Sequence, residues 1–267
     1  MGGGAKSVGG KIHVTRQGAV AVLSISNPAG LNAFDLPMAK VFATKTAEVA
    51  ADSSVRAVLL RGEGKHFCAG GDLAAIRAAP DPSAYVLELA RTANRVLAAF
   101  RAMPKPVLAE LKGAVAGGGV GVALAADLRI AADDAKVSLA FLKVGLTPDM
   151  GATWSLPRVV GRGRAFELAA SAQPLPVMEA WRWGLVNRVV KAQELERESM
   201  AWAQELSALP PKAVAEVKAL LNAAEANPFE KHLREDSAAI SRMAGTADFQ
   251  EGARAFFEKR PPRFAGK

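Results

Sequence analysis

Two glycine-rich stretches in this chain offer chemistry through the backbone rather than through side chains. The first, Gly64 to Leu73, reads GKHFCAGGDL. It follows a strand-like apolar run, and Asp72 opens a helical pattern. N–H groups at such a helix start lack carbonyl partners and carry partial positive charge. Glycine lets a ligand approach the main chain closely, so the Gly71 N–H can donate to an oxygen that becomes negative. A tight turn with Asp72 as helix cap fits the same residues. The second stretch, Gly113 to Leu124, reads GAVAGGGVGVAL. Gly117, Gly118 and Gly119 expose backbone where another helix begins. No lysine followed by Ser or Thr comes after them, so this is not a phosphate loop. Nor does the spacing fit the dinucleotide fingerprint after a first strand. Close packing of helix on strand is the alternative use of these glycines. Taken together, two such turns supply what an oxyanion hole needs, a pair of backbone donors from separate loops. They would bind a carbonyl oxygen and favour its enolate, which suits chemistry at the carbon next to a thioester.

The elements that must position these turns alternate between strand and helix. Ile12–Thr15 and Val20–Ile25 read as a hairpin split at Gln17-Gly18. Asp35 to Ala51 has helical spacing with Asp35 as N-cap. Val55–Leu60 reads as a buried strand, and Ser83–Met103 as a long amphipathic helix ended by Pro104. Pro106–Leu111 is strand-like, Val120–Ala126 helical and Leu128–Ala132 strand-like again. This order predicts an α/β core. Beyond Pro148 helical segments dominate: Arg164–Ala170, Ala192–Ala208, Pro211–Ala224, Glu230–Ser241 and Ala247–Lys259, with a short strand at Val186–Val190.

The 267 residues are 50% hydrophobic and 22% charged, which excludes intrinsic disorder and predicts a sizeable core. One cysteine, Cys68, excludes an internal disulfide framework and a cysteine-clustered zinc site. The three histidines, His13, His66 and His232, are too scattered in sequence to suggest a metal site. The uncharged stretch Gly113–Ala126 has 14 residues, five of them glycine, whereas a membrane span needs about 20 apolar ones. Met1 to Gly10 lacks the apolar core of a secretory signal. A cytoplasmic protein is expected, without membrane insertion. The net charge of +8 suits either a solvated basic surface or an anionic partner, such as a phosphate-bearing small ligand. It is dispersed and accompanied by few aromatics, so nucleic acid is not expected.

At this point the sequence resembles the enoyl-CoA hydratase/isomerase (crotonase) superfamily over Ile12 to Phe264. The matching pieces are Leu31-Asn32-Ala33, HFCAGGDL, PVLAELKGAVAGGG and AFFEKRPPRF, in that order. The resemblance implies a crotonase-like spiral of stacked β-β-α turns over residues 11–190, holding an acyl-CoA site. It implies a C-terminal helical trimerisation region over 191–267, and a homotrimer or dimer of trimers. By family position, Gly71 and Gly118 supply the two oxyanion-hole N–H groups. Leu31, Ala33, Ala69, Asp72 and Leu73 line the CoA channel. Lys259 approaches a CoA phosphate, often from a neighbouring subunit. CoA is part of the substrate, and no metal, nicotinamide or flavin is implied.

One departure from the family pattern stands out. Hydratases of this family usually carry two glutamates that position water. Here those positions hold Gly121 and Phe141, and neither transfers a proton. The segment GLTPDMGATWSLP, Gly145 to Pro157, instead resembles enoyl-CoA isomerases with an acid directly after this proline. Its Pro-Asp form, with Trp and Leu-Pro-Arg following, particularly resembles ring-epoxide isomerases acting on phenylacetyl-CoA. Asp149 would then be the sole acid/base. Phe141, Leu142, Leu146, Met150 and Trp154 would raise its pKa by desolvation. Asp149 as a helix N-cap is the competing use of that carboxylate. Further readings are a hydratase with atypical acid placement and a non-catalytic acyl-CoA-binding paralogue. Glu110 reads as a salt-bridged strand residue, Cys68 as a small buried hydrophobe and His66 as loop support. Trp154 reads equally as acyl-pocket lining or core.

Overall fold

A computed structural model describes residues 10–267. Of the segment Met1 to Gly10, read above for a secretory signal, all but Gly10 lies outside the described residues. Strands β1 (Lys11–Gln17) and β2 (Val20–Ser26) form the expected antiparallel hairpin. Gly18 makes its turn at φ +59, a conformation that L side chains rarely adopt. Next come β3 (Ala57–Gly62), β4 (Val107–Leu111), β5 (Ala114–Ala116), β6 (Leu128–Ala132), β7 (Lys136–Ser138), β8 (Leu175–Pro176) and β9 (Arg188–Val190). Six strands form one sheet in the order β1-β2-β3-β4-β6-β9, parallel after the hairpin. A second sheet, β5-β7-β8, was not foreseen. Its strands are two or three residues long, too short to carry a period of two. β3 and β9 also begin two residues later than their apolar runs suggest.

The helices are α1 (Leu36–Ala51), α2 (Leu73–Ala78), α3 (Pro82–Ala102), α4 (Gly118–Ala125), α5 (Ala152–Val160), α6 (Arg162–Ser171), α7 (Val177–Arg182), α8 (Leu195–Ser207), α9 (Pro211–Ala224), α10 (Phe229–Ala244) and α11 (Ala247–Glu258). Asp35 starts α1 by accepting the Met38 N–H at 2.9 Å. None of the described helices is long and apolar enough to cross a membrane.

Period-two alternation sorts the parallel strands into two apolar layers. Ala21, Leu23 and Ile25 of β2, Val58 and Leu60 of β3, and Val107, Ala109 and Leu111 of β4 join a core with α1, α3 and α4. The alternate residues Val20, Val22, Ala57, Leu59 and Leu108 pack with Leu195, Trp202 and Ala203 of α8. Glu110 shares the parity of Leu108. Its Oε2 therefore accepts from Ser199 Oγ of α8 at 2.6 Å, and Lys112 Nζ lies 3.6 Å from its Oε1. This is the salt-bridged strand residue that the sequence suggested, on the sheet face away from α4. At the start of β3, Arg56 donates to the Phe264 carbonyl at 2.9 Å and to the Leu209 carbonyl at 3.0 Å. The C-terminal segment is thus tied to the N-terminal ends of the strands, and both glycine turns lie at the other end.

Three buried rings stitch α1 to α3 and to the loop before α1. Phe34 meets Phe42 edge-on at 6.5 Å between centroids, and Phe42 meets Phe100 at 6.1 Å. All three rings belong to the larger apolar layer. Phe42→Ala should lower the unfolding free energy by about 3–5 kcal/mol in urea denaturation. A loss below about 1 kcal/mol would show that this chain of rings is not central to the core.

Candidate active site

The first turn leaves β3 and lies along β5. The Phe67 N–H donates to the Lys112 carbonyl at 2.9 Å, and the Ala116 N–H donates to the Cys68 carbonyl at 2.9 Å. On its other side the turn pairs with the segment before α1. The Phe34 N–H donates to the Gly70 carbonyl at 2.8 Å, and the Asp72 N–H to the Phe34 carbonyl at 3.0 Å. This parallel bridge leaves the Gly71 N–H facing away from it. Among the described residues that N–H has no hydrogen-bond acceptor. Asp72 caps α2, its carboxylate accepting the Ala74 and Ala75 N–H groups at 2.8 and 3.2 Å.

The second turn leaves β4 through β5 and enters α4. Gly117 caps the helix at φ +50 and donates its N–H to the Ser138 carbonyl at 2.9 Å. Gly118 is the first helical residue, so its N–H has no acceptor within the helix. Like Gly71, it finds none elsewhere among the described residues. The two turns touch through backbone. A Cβ on Gly70 would strike the Gly118 nitrogen and lie 2.8 Å from its Cα, and Gly70 has φ +87. A Cβ on Gly119 would overlap the Cys68 carbonyl. The glycines expected to pack helix on strand do so, and that packing brings two partnerless donors into adjoining turns.

Cys68 and Asn32 hold the junction from behind. The Cys68 Sγ donates to the Asn32 carbonyl and accepts the Gly70 N–H, each at 3.3 Å. Burial pushes its thiol pKa up to about 12, so it stays protonated, in keeping with a packed rather than nucleophilic residue. Asn32 is fully buried at φ +57. Its Nδ2 donates to the Glu63 and His66 carbonyls at 2.8 Å each, and its Oδ1 accepts the Asn27 N–H at 2.7 Å. His66 Nδ1 accepts the Ala114 N–H at 3.0 Å, the loop support expected of it.

Asp149 arrives on a third segment. The Met150 side chain is buried against Gly118, and the Met150 carbonyl stands where a Cβ on Gly121 would be. A glutamate at 121 therefore has no space. Asp149 does not cap α5. Gly151 stands at the cap, and the Asp149 backbone carbonyl accepts the Ala152 N–H at 3.0 Å. Burial raises the Asp149 pKa above the ordinary carboxylate value. The apolar surroundings differ from those expected. Met150 is buried and Phe141 half-buried, while Leu142, Leu146 and Trp154 are substantially exposed in the single chain. Trp154 is exposed rather than core. Its ring lies between the Arg158 and Arg101 guanidinium groups, at 3.9 and 4.4 Å.

The other sequence-predicted residues divide into two groups. Ala69 donates to the Leu31 carbonyl at 3.1 Å, which sets Leu31 and Ala33 beside Ala69, Asp72 and Leu73 around Gly71. Lys259 stands apart from them. It ends α11 in a left-handed conformation, exposed, and no hydrogen bond or ion pair joins it to that group among the described residues. Nor do three or more His, Cys, Asp or Glu side chains gather as a metal site would require among those residues.

The family model for enoyl-CoA hydratase/isomerase matches residues 15–267. The chain belongs to this family. The 1,2-epoxyphenylacetyl-CoA isomerase of Escherichia coli is 37% identical over 251 residues, covering 93% of this chain and 95% of that protein. The short-chain-enoyl-CoA hydratase of Clostridium acetobutylicum is 33% identical over 250 residues, covering 93% and 95%. The crystal structure of an enoyl-CoA hydratase from Polaromonas sp. JS666 superposes with a TM-score of 0.90 at 32% identity, covering 96% of this chain and all of that one. The fold is thus the crotonase fold expected from the sequence, and the chain is an enzyme of the enoyl-CoA hydratase/isomerase family.

In the sequence Asn32 stands out only as part of a motif, and Met150 only as an apolar neighbour of Asp149. A left-handed asparagine sewing three backbone groups together has no signature beyond its residue type. Asn32→Ala would orphan those groups. It should lower stability by about 2–5 kcal/mol in urea denaturation. A change under about 1 kcal/mol would mean that the loop is held by other contacts.

Proposed function

We propose that this enzyme isomerises an acyl-CoA, moving a double bond from β,γ to α,β or opening a ring epoxide next to the thioester. The thioester oxygen lies between the Gly71 and Gly118 N–H groups. Asp149 is the single acid/base. The observation that carries this reading is one arrangement. Two partnerless N–H groups lie on touching turns among the described residues, and a half-buried carboxylate belongs to a segment packed against the second turn. For double-bond migration, Asp149 takes the proton from C2. The electron pair moves into the carbonyl, and the resulting enolate oxygen is held by the two donors, which cost no reorganisation as charge develops. Protonated Asp149 returns the proton at C4. The double bond re-forms between C2 and C3, and no atom is gained or lost.

The likeness to the epoxyphenylacetyl-CoA isomerase supports an isomerase reading. So does the packing of Met150 into the space at Gly121, one of the two positions where the family's hydratases carry glutamate. Leu31, Ala33, Ala69, Asp72 and Leu73 would line the CoA channel. Lys259 would reach a CoA phosphate from a neighbouring copy, in a trimer or dimer of trimers. Phe256 and Phe257 next to it, with Phe229 and Ile240 of α10, are large, exposed and apolar, which supports self-association.

The test is a substrate panel of 3-enoyl-CoA, 2-enoyl-CoA and the phenylacetyl-CoA epoxide, followed by mass and ultraviolet absorbance. Conversion at constant mass is expected. Addition of water to 2-enoyl-CoA would overturn the isomerase reading. Asp149→Asn should keep CoA-ester binding and lose at least about 1,000-fold in kcat. Retained turnover would remove Asp149 from the mechanism. Because its pKa is raised in the folded state, the ionised carboxylate opposes folding above that pKa. This cost disappears as pH falls below the unfolded value of about 4. Asp149→Asn should therefore raise Tm at neutral pH, with the gain vanishing in acid. A lower Tm at pH 7 would contradict the burial argument.

A further inference from the structure

We infer that Met150 is the residue that positions Asp149 against the Gly118 donor, and that Gly121 is the seat that admits it. This rests on the reading of Asp149 as acid/base. Met150 follows Asp149 directly and is a non-glycine residue in the left-handed region, at φ +50. Its side chain is 5% exposed. Within the larger core, two of its close approaches are to α4. The Met150 sulfur occupies the place of a Cβ on Gly118, with Met150 Cγ 3.5 Å from that point. The Met150 carbonyl occupies the place of a Cβ on Gly121, with Met150 Cβ 2.8 Å away.

The backbone conformations of Gly118 and Gly121 do not require glycine. Both lie in α4, and neither has a positive φ. What crowds a Cβ there is Met150, through the end of its side chain at Gly118 and through its backbone at Gly121. Gly118 and Gly121 are three residues apart and share one face of the helix. One residue therefore bears on that face through both its backbone and its side chain. The N–H of Gly118 is one of the two partnerless donors, and Asp149 is one peptide unit from the clamp. Met150 thus sets the spacing between the carboxylate and the oxyanion donor. The carboxylate itself is half-buried. No charged side chain contributes to the raised pKa of Asp149, and burial alone drives it, against the effect of the residue's own backbone N–H. Any loosening of the clamp should therefore register at the carboxyl group itself.

The test combines Gly121→Ala, Met150→Ala and Met150→Leu. The Asp149 carboxyl is followed by carbon-13 NMR titration, with Asp149→Asn to assign the signal. Turnover is followed on trans-3-hexenoyl-CoA. In Gly121→Ala the new methyl displaces the Met150 carbonyl. The Asp149 pKa should fall towards the ordinary carboxylate range, and kcat should drop by about 100-fold or more while KM changes less than threefold. Met150→Ala should act in the same direction, and Met150→Leu should restore most of both readouts. If Gly121→Ala does not fold, the Met150 pair decides. An unchanged carboxyl titration in Gly121→Ala and Met150→Ala overturns the positioning role, whatever the turnover. Full turnover in Asp149→Asn instead overturns the acid/base reading, and the NMR result still decides whether Met150 holds the carboxyl group.

Discussion

The close approach of two backbone turns at Gly70 and Gly118 is the constraint on which the site depends. No side chain fits between them, and the Gly70 conformation is one that glycine tolerates best. The turns are held in register by hydrogen bonds to each other at Ala116 and to neighbouring segments at Phe34, Leu31 and Ser138. Each bond satisfies a backbone group that would otherwise be left unpaired, and together they omit the Gly71 and Gly118 N–H groups. The fold thus leaves two donors free by construction. A donor fixed before the reaction need not be reoriented as negative charge develops, which is why such pairs are effective in a water-poor site.

The sheet explains why both turns meet at one end. β3 and β4 are parallel neighbours, so their C-terminal ends emerge side by side, and each leads into one glycine turn. α4 is buried along its whole length, with its N-terminus at the junction and its Gly118–Gly121 face against Met150. The same helix supplies a donor and anchors the segment that carries Asp149. Polar groups that would compete at the site are engaged elsewhere. Glu110 faces α8, His66 accepts a backbone N–H, and the Cys68 thiol is held protonated by burial.

Much of this was legible in the sequence. Asp35 and Asp72 announced their helices because a side-chain cap is a local event. The α/β order followed from apolar periodicity, and the paired turns from glycines placed between strand-like and helical runs. Other features were not legible because they arise between segments distant in sequence. β5, β7 and β8 are too short to show a period. Trp154 reads as apolar, yet it lies between two arginines, one of them more than fifty residues away on α3. Gly121 reads as a missing acid, and only the structure shows the Met150 carbonyl in its place. The group around Gly71 includes five of the six residues assigned to CoA, while Lys259 lies with a segment tied to the far end of β3.

If the Gly71 and Gly118 N–H groups polarise a thioester carbonyl, the bound substrate must carry a weakened C=O bond. The most direct measurement is isotope-edited infrared spectroscopy of a 2-enoyl-CoA labelled with carbon-13 at the thioester carbonyl, bound to the Asp149→Asn enzyme. The carbonyl stretch should be displaced to lower frequency than in water, because two fixed donors withdraw density from the C=O bond. A bound carbonyl with its stretch at or above the value in water would contradict it.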